Sequence, residues 1–391
     1  VSIESARVDG GVMPAPGADP DLHWMNLALA QAERALYITS PNPRVGCVIV
    51  RDGRLLAQGS TQRAGGPHAE VMALRQAAER GLDVAGATVY VTLEPCSHYG
   101  RTPPCVDALI KARPARVVIA LVDPNPLVGG QGVARLREAG IAVVTGVGAQ
   151  QALAQNPGFI ARMTRRTPWL WMKLAATLDG RIALPNGKSQ WITGEAARAD
   201  GHHWRARSCV VLTGSGTVVA DNPRMNVRYV DTLRQPIRAI IDTRFEVDES
   251  AAIFDGNEAW IFTCSADSDK AARLADRNVR VIQVPRSDNG RVDLAAVLQW
   301  MGEHDVNEVH AEAGSKLSGA LLQEGCVDEL LAYMAPMLMG PGLGMLRLPE
   351  LQDLSQATRF EFTEHLMVGQ DIRLRARDAS RWAALARAVS A

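Results

Sequence analysis

HAEVMALRQAAER (68–80) and TLEPCSHYGRTPPC (92–105) decide how this chain is read. His68, Cys96 and Cys105 offer one imidazole and two thiolates. That is three ligands for a tetrahedral zinc, with a fourth position left for water, which is the layout of a catalytic rather than a structural site. Glu70, two residues past the histidine, is not needed as a ligand and can move protons to and from a metal-bound water. Apolar positions at Val71, Met72, Leu74 and Ala78 predict a helix over 69–80 with His68 and Glu70 in its first turn. TVYVTL (88–93) predicts a buried strand that Glu94-Pro95 ends. A helix N-terminus near a cysteine favours its thiolate.

The order H-x-E, then P-C, then Cys is that of zinc deaminases acting on cytosine- or adenine-like rings. The spacing departs from the usual C-x-x-C: Ser97 to Pro104 separate the two cysteines and must loop out beside the metal. Such a loop would carry His98 and Arg101 over a substrate, and an arginine there suits a phosphate. The alternatives are a solvated loop and a purely structural zinc. A structural site closes with four protein ligands, and His98, read as a substrate contact, is the one further candidate at ligand spacing.

The rest of the chain alternates helix and strand. A first domain over 21–147 has helices at 21–37, 68–80, 103–112 and 130–139, and strands at 45–51, 54–59, 88–93, 116–121 and 141–145. This predicts an α/β layered fold on a mixed sheet. Residues 1–20 read as a disordered leader and 148–167 as a linker with one short helix. A second α/β domain spans 168–378. It has strands at 169–177, 209–214, 237–241, 259–263, 280–284 and 308–312, and helices near 195–206, 268–277, 292–303 and 315–324. Strands at 328–335, 359–366 and 370–377 are expected to form an antiparallel edge, and 379–391 an exposed terminal helix. No G-x-G-x-x-G follows a strand. Gly214-Ser215-Gly216-Thr217 and Ala313-Gly314-Ser315-Lys316 do follow apolar strands and could present backbone N–H groups to a phosphate. Each could equally be a plain strand-to-helix turn.

PNPRVGCVIV (41–50), HAEVMALR (68–75), TLEPCSHYGRTPPC (92–105) and DPNP (123–126) resemble the deaminase half of the bifunctional riboflavin-biosynthesis deaminase–reductases. KLAATLDGRIA (173–183), SQWITG (189–194), GTVVADNP (216–223), EAGSKLSGALL (312–322) and VDELLAYMAPMLMG (327–340) continue the likeness through the reductase half, so that it covers roughly 22–377. The resemblance implies a cytidine-deaminase-like three-layer domain followed by a dihydrofolate-reductase-like α/β domain, with one zinc per chain and NADPH as reductant. It implies hydrolytic deamination at ring C2 of 2,5-diamino-6-ribosylamino-4(3H)-pyrimidinone 5′-phosphate, then hydride transfer to C1′ of the ribosyl group to give ribityl. Carried over by position, Asn42, His98, Arg101, Asp123 and Asn125 are deaminase substrate contacts. Ala175, Trp191, Thr217, Asp221, Gly314, Ser315, Lys316 and Leu317 fall on cofactor positions. Ser189, Arg205, Met225, Arg228 and Glu312 fall on substrate positions, and Arg205 and Arg228 would clamp the 5′-phosphate. Lys173, Asp179 and Glu312 are the polar groups expected near the reacting carbon, although Asp179 could simply hold a turn. Thr61 stands where family members often carry a histidine.

Composition narrows the alternatives. Lys and Arg total 42 and Asp and Glu total 42, so no basic face suggests nucleic acid as a partner. No apolar run approaches a membrane span. Six cysteines, two of them assigned to metal, suit a reducing cytoplasm, with Cys47, Cys209, Cys264 and Cys326 read as buried thiols. The expected partners are small phosphorylated pyrimidines, and a homo-oligomer stays open. Two other readings are a different zinc nucleobase deaminase with a non-catalytic C-terminal binding domain, and a zinc-stabilised scaffold, against which Glu70 argues. The ligand set predicts about one zinc per chain. Elemental analysis of Cys105→Ala should show the metal lost, and undiminished zinc would refute the set.

Overall fold

The computed structural model describes residues 19–99, 103–125 and 129–389. Contacts divide the chain between Thr164 and Arg165, with the residues from Leu385 onward counted with the first unit. Most of the predicted leader, Arg101 and the last residue of the DPNP run lie outside the described residues.

The first unit runs α1 (Pro20–Glu33), β1 (Gly46–Arg51), β2 (Arg54–Ser60), α2 (Ala69–Glu79), β3 (Thr88–Val91), α3 (Cys105–Ala112), β4 (Arg116–Ile119), α4 (Gln131–Glu138), β5 (Ala142–Thr145), α5 (Ala149–Gln155) and α6 (Pro157–Arg165). Its sheet has the order β2-β1-β3-β4-β5. β1 is antiparallel to both β2 and β3, and β3, β4 and β5 are parallel. Successive strand residues face opposite sides. A Cβ on Gly46 would lie 1.8 Å from the Ala28 carbonyl oxygen of α1, whereas one on Gly59, the partner of Cys47, would lie 2.4 Å from the Ala69 carbonyl oxygen of α2. The two helices therefore cover opposite faces, giving three layers. The absence of a side chain at Gly59 lets the start of α2, and with it His68, sit directly on the sheet. The predicted linker is largely helical, since α5 and α6 occupy most of it.

The second unit runs β6 (Trp169–Thr177), β7 (Arg181–Ala183), α7 (Glu195–Arg207), β8 (Val210–Gly214), α8 (Ser215–Asp221), β9 (Ile237–Ile241), β10 (Ala259–Thr263), α9 (Ser268–Ala275), β11 (Val279–Gln283), α10 (Leu294–Glu303), β12 (Glu308–Glu312), α11 (Ser315–Gln323), β13 (Glu329–Ala335), β14 (Leu343–Gly344), β15 (Glu361–Val368), β16 (Asp371–Arg377) and α12 (Ala379–Ala388). Its main sheet has nine strands in the order β11-β10-β9-β8-β12-β6-β13-β16-β15. Alternate residues of the inner strands feed separate cores: Leu212, Ile241 and Phe262 on one side, Val211, Ile240 and Ile261 on the other. A mainly parallel sheet covered on both faces reads as continuous apolar runs for this reason.

The expected antiparallel edge is present: β13 pairs antiparallel with β16 and β16 with β15, and β13 joins this edge to the rest of the sheet by running parallel to β6. Three expectations need correction. β3 stops at Val91, two residues early, because Glu94 turns away to accept backbone hydrogen bonds. The terminal helix is not simply exposed, since Trp382 packs edge-on against buried Trp169 with centroids 5.9 Å apart. Cys264 is half-buried and its thiol donates toward the Pro285 carbonyl at 3.5 Å; Cys47, Cys209 and Cys326 are buried as expected.

Asp328, fully buried before β13, ties the start of β6 to the tail. It accepts from Arg165 at 2.7 Å, from Arg381 at 2.5 Å and from the Leu170 N–H at 2.8 Å. Its replacement strands two part-exposed guanidiniums, so Asp328→Ala should cost about 3 kcal/mol, the low end for a broken buried pair. The check is the urea midpoint of the second unit's unfolding, which should fall without a change in slope.

Candidate functional site

The first site is assembled by α2, the loop after β3 and the start of α3. His68 is the N-cap of α2 and Cys105 the first residue of α3. The ligand atoms of His68, Cys96 and Cys105 all lie within 4.8 Å of one another. His68 Nδ1 is 3.5 Å from Cys96 Sγ and 3.3 Å from Cys105 Sγ. Ordinary zinc–sulfur and zinc–nitrogen bonds at a tetrahedral angle would set nitrogen and sulfur about 3.6 Å apart, so the three residues fit a single zinc. The Cys105 N–H donates to Cys96 Sγ at 3.2 Å. Hydrogen bonding to Cys105 and to His68 holds the Cys96 thiol down at about 4, with burial opposing. Cys105 is pushed up by its hydrogen bond with Cys96 and by burial, and a bound dication would deprotonate it too.

Glu70 is buried in the first turn of α2, and burial, reinforced by the neighbouring Cys96 thiolate, raises it to about 7. A carboxyl beside a metal-bound water is placed to take and return a proton. Cys47 on β1 is close enough to feel the Glu70 charge, and burial drives its thiol up, so it stays neutral.

Sequence reasoning assigned no role to Glu94. It is buried, and its carboxylate accepts the N–H groups of Asp123 at 2.9 Å, Gly130 at 2.9 Å and Val133 at 3.0 Å. It thereby clamps the loop after β4 and the start of α4 beside the metal corner. A Cβ on Gly132 would fall 2.3 Å from the Pro95 carbonyl oxygen, so only glycine lets α4 approach this closely. On the clamped loop, Asp123 accepts the Asn125 N–H at 2.9 Å, and burial raises its carboxyl to about 6, with His98 and Cys96 among the charges it feels. Asn42 lies in the turn leading to β1, closed by its N–H to the Thr39 carbonyl at 2.8 Å. Thr61 is buried, with its hydroxyl directed at the Val45 carbonyl at 3.4 Å. Arg101 lies outside the described residues.

The second site is a cleft of about 1570 Å³ at the carboxyl ends of β6, β8, β9 and β12. β8 and β6 flank β12, the strand to which the chain returns after building β9, β10 and β11, so the cleft sits where strand order reverses. Its size exceeds what one small molecule needs, leaving room for a dinucleotide and a second substrate. Ala175, Thr217, Asp221, the Gly314–Leu317 run that opens α11, Ser189, Met225, Lys173 and Glu312 line it. β12 and β6 are in register so that Glu312 stands beside Lys173, and their side chains meet at 3.3 Å. Arg205 of α7 grips the same carboxylate with two nitrogens, one at 2.9 Å, and gives a third to the Asn226 carbonyl at 3.0 Å. Burial works to neutralise Glu312, but Arg205 and Lys173 outweigh it and hold the carboxyl well below its ordinary range.

Trp191, Asp179, Arg205 and Arg228 lie outside the cleft lining among the described residues. Trp191 is 68% exposed, with Arg198 over its ring at 4.5 Å. The Asp179 carboxylate is taken up by the Thr177 hydroxyl and the Met339 and Gly340 N–H groups, which lower it to about 2; it braces a turn. Arg228 is exposed, donating to Asn226 Oδ1 at 2.6 Å, and its N–H donates to His202 Nδ1 at 3.1 Å. His202 escaped the sequence reading; burial and two nearby arginines lower it to about 4, so it is neutral. His310, also missed, is buried 3.4 Å from Glu312. Its signal was the polar alternation Glu308, His310, Glu312 in an apolar strand.

One unit thus has the corner of a zinc-dependent deaminase and the other the cleft of a dinucleotide-dependent reductase. The family described as "RibD C-terminal domain" matches residues 168–374, and "Cytidine and deoxycytidylate deaminase zinc-binding region" matches 19–121. The riboflavin biosynthesis protein RibD of Escherichia coli K12 is 45% identical over 90% of this chain and 98% of its own length, and that of Bacillus amyloliquefaciens is 40% identical over 90% and 95%. A solved RibD of Acinetobacter baumannii is 43% identical, covers 91% of this chain and 98% of that one, and superposes with a TM-score of 0.84. A Thermotoga maritima structure described as a diaminohydroxyphosphoribosylaminopyrimidine deaminase/5-amino-6-(5-phosphoribosylamino)uracil reductase is 33% identical over 92% of this chain and 99% of that one, with a TM-score of 0.83. The chain belongs to the RibD family.

The Glu94 clamp makes a specific prediction. Glu94→Gln turns two amide hydrogens toward N–H donors and loses charge-assisted bonds, so deaminase kcat/KM should fall by about 10-fold or more. Zinc content and reductase rate should not change; loss of zinc in step with activity would mean that Glu94 holds the metal site rather than the loop.

Proposed function

We infer that the chain catalyses two consecutive steps of riboflavin synthesis, hydrolytic deamination of 2,5-diamino-6-ribosylamino-4(3H)-pyrimidinone 5′-phosphate and NADPH-dependent reduction of the ribosyl group of 5-amino-6-(5-phosphoribosylamino)uracil to ribityl. The observation that carries it is the pairing, in one chain, of an open His68–Cys96–Cys105 corner backed by Glu70 with a cleft whose end carries the Lys173–Glu312 pair. When bound, zinc supplies a Lewis acid that acidifies water, and NADPH supplies a hydride.

In the first unit Glu70 takes a proton from the attacking water and returns it to the departing ammonia. Asp123 and Asn125, on the loop clamped by Glu94, contact the ring, with His98 and Asn42 completing the pocket and Arg101 taking the phosphate. In the second unit Ala175, Thr217, Asp221 and the Gly314–Leu317 run hold the cofactor; Trp191, outside the cleft lining, is assigned to it by the family resemblance alone. Ser189, Met225 and Arg228 face the substrate. Lys173 stands by the ribosyl carbon as the proton donor that balances hydride arrival, and Glu312 orients it. Arg205 is spent on Glu312 and Asn226, which supports a positioning role in place of a phosphate clamp and leaves Arg228 as the phosphate contact. The bracing of Asp179 supports a role in shaping the loop at 337–340 rather than in chemistry. All six thiols are unpaired, in keeping with a reducing cytoplasm, and no described helix is long and apolar enough to cross a membrane.

Glu70→Gln tests the assignment. It removes a proton shuttle without removing a ligand, so zinc should stay while deamination falls by ~10²–10⁴-fold. Reduction of already deaminated substrate should continue at the wild-type rate. Joint loss of both activities would overturn the two-site assignment.

A further inference from the structure

Three arginines line the far end of the cleft and have no part in the roles assigned above: Arg244, Arg286 and Arg291. Arg244 follows β9 and Arg286 follows β11, which are two and four strands from β12. At ordinary strand spacing they lie roughly 10–20 Å across the sheet from Glu312, a span for an extended dinucleotide rather than for one ring. Their backbone is fixed in one place. Thr243, just before Arg244, accepts the Val292 N–H on its hydroxyl at 3.4 Å, and Val292, just after Arg291, bridges antiparallel to Arg286.

The guanidiniums keep donors in reserve. Arg286 gives one nitrogen to the Gly290 carbonyl at 2.7 Å, and Arg244 gives one to Glu246 at 2.8 Å in a pair exposed at both ends. Arg291 has no side-chain hydrogen bond among the described residues. Each guanidinium carries five N–H donors in a fork suited to phosphate oxygens. Glu246 and Glu324 are the acidic residues of the lining outside the sites already described, apart from Asp221; Asp288 and Asp293, on the segment of Arg286 and Arg291, are not part of the lining. Dinucleotide sites discriminate at this point: an acidic residue accepts from a ribose hydroxyl and selects the unphosphorylated cofactor, whereas an arginine accommodates a 2′-phosphate.

We propose that Arg244, Arg286 and Arg291 seat the 2′-phosphomonoester at the adenosine end of the cofactor and so make the reductase select NADPH over NADH. This rests on the reductase reading above and adds the residues that set cofactor choice.

The test is calorimetric titration of the full-length, zinc-loaded protein with NADPH, NADH and adenosine 2′,5′-bisphosphate. The wild type should bind NADPH far more tightly than NADH. In Arg244→Ala/Arg291→Ala, affinity for NADPH and for the bisphosphate should drop about 10- to 100-fold, the loss expected for charge-assisted hydrogen bonds, while NADH affinity holds. Arg286→Ala should behave alike. Unaltered NADH binding doubles as the check that each variant folds. Equal wild-type affinity for the two dinucleotides, equal weakening of both in the variants, or unchanged NADPH binding would overturn the phosphate seat and leave the reductase reading standing. A wild type that binds neither dinucleotide would overturn both.

Discussion

A carboxylate buried at a strand end must be filled with donors or it will not stay charged. Both units use that constraint to place chemistry. Glu94, just past β3, is filled by three backbone N–H groups and so fixes the loop beside the zinc corner. Glu312, the last residue of β12, is filled by Arg205 and Lys173 and so fixes a cation at the head of the cleft. In one case the donors come from backbone, in the other from side chains, and the consequence differs. Backbone donors make a rigid loop. Side-chain donors place Lys173 at the head of the cleft.

Glu70 and Glu312 show how one residue type is given opposite electrostatic surroundings. Both are buried. With no metal bound, burial and the nearby Cys96 thiolate outweigh His68 and raise Glu70 to about 7. Glu312 has two cations and falls. Opposite surroundings thus shift the two buried carboxyls in opposite directions.

Much of this was legible in the residues. The metal corner announces itself because ligation demands particular residue types at particular places, and His68, Glu70, Cys96 and Cys105 have few other uses in that order. Strands such as β6, β9, β10 and β12 fall where the apolar runs end. The pairing of β13 with β6 was not legible, because strand direction is set by the crossover through the rest of the sheet and not by local pattern. Nor were the partners of Glu94 and Arg205, which come from elsewhere in the fold: three backbone N–H groups for the one and the Glu312 carboxylate for the other. The family resemblance names positions, but only geometry separates a residue that touches substrate from one that positions its neighbour.

The central claim is that one chain performs a hydrolytic and then a reductive step at separate sites. Mass-resolved analysis of products from the diaminopyrimidine substrate, with and without NADPH, addresses it most directly. Without NADPH the product should show exchange of one imino group for oxygen and nothing more; with NADPH it should gain two further hydrogens. Two added hydrogens on a substrate that keeps its amine, or no reduction in the presence of NADPH, would contradict the account.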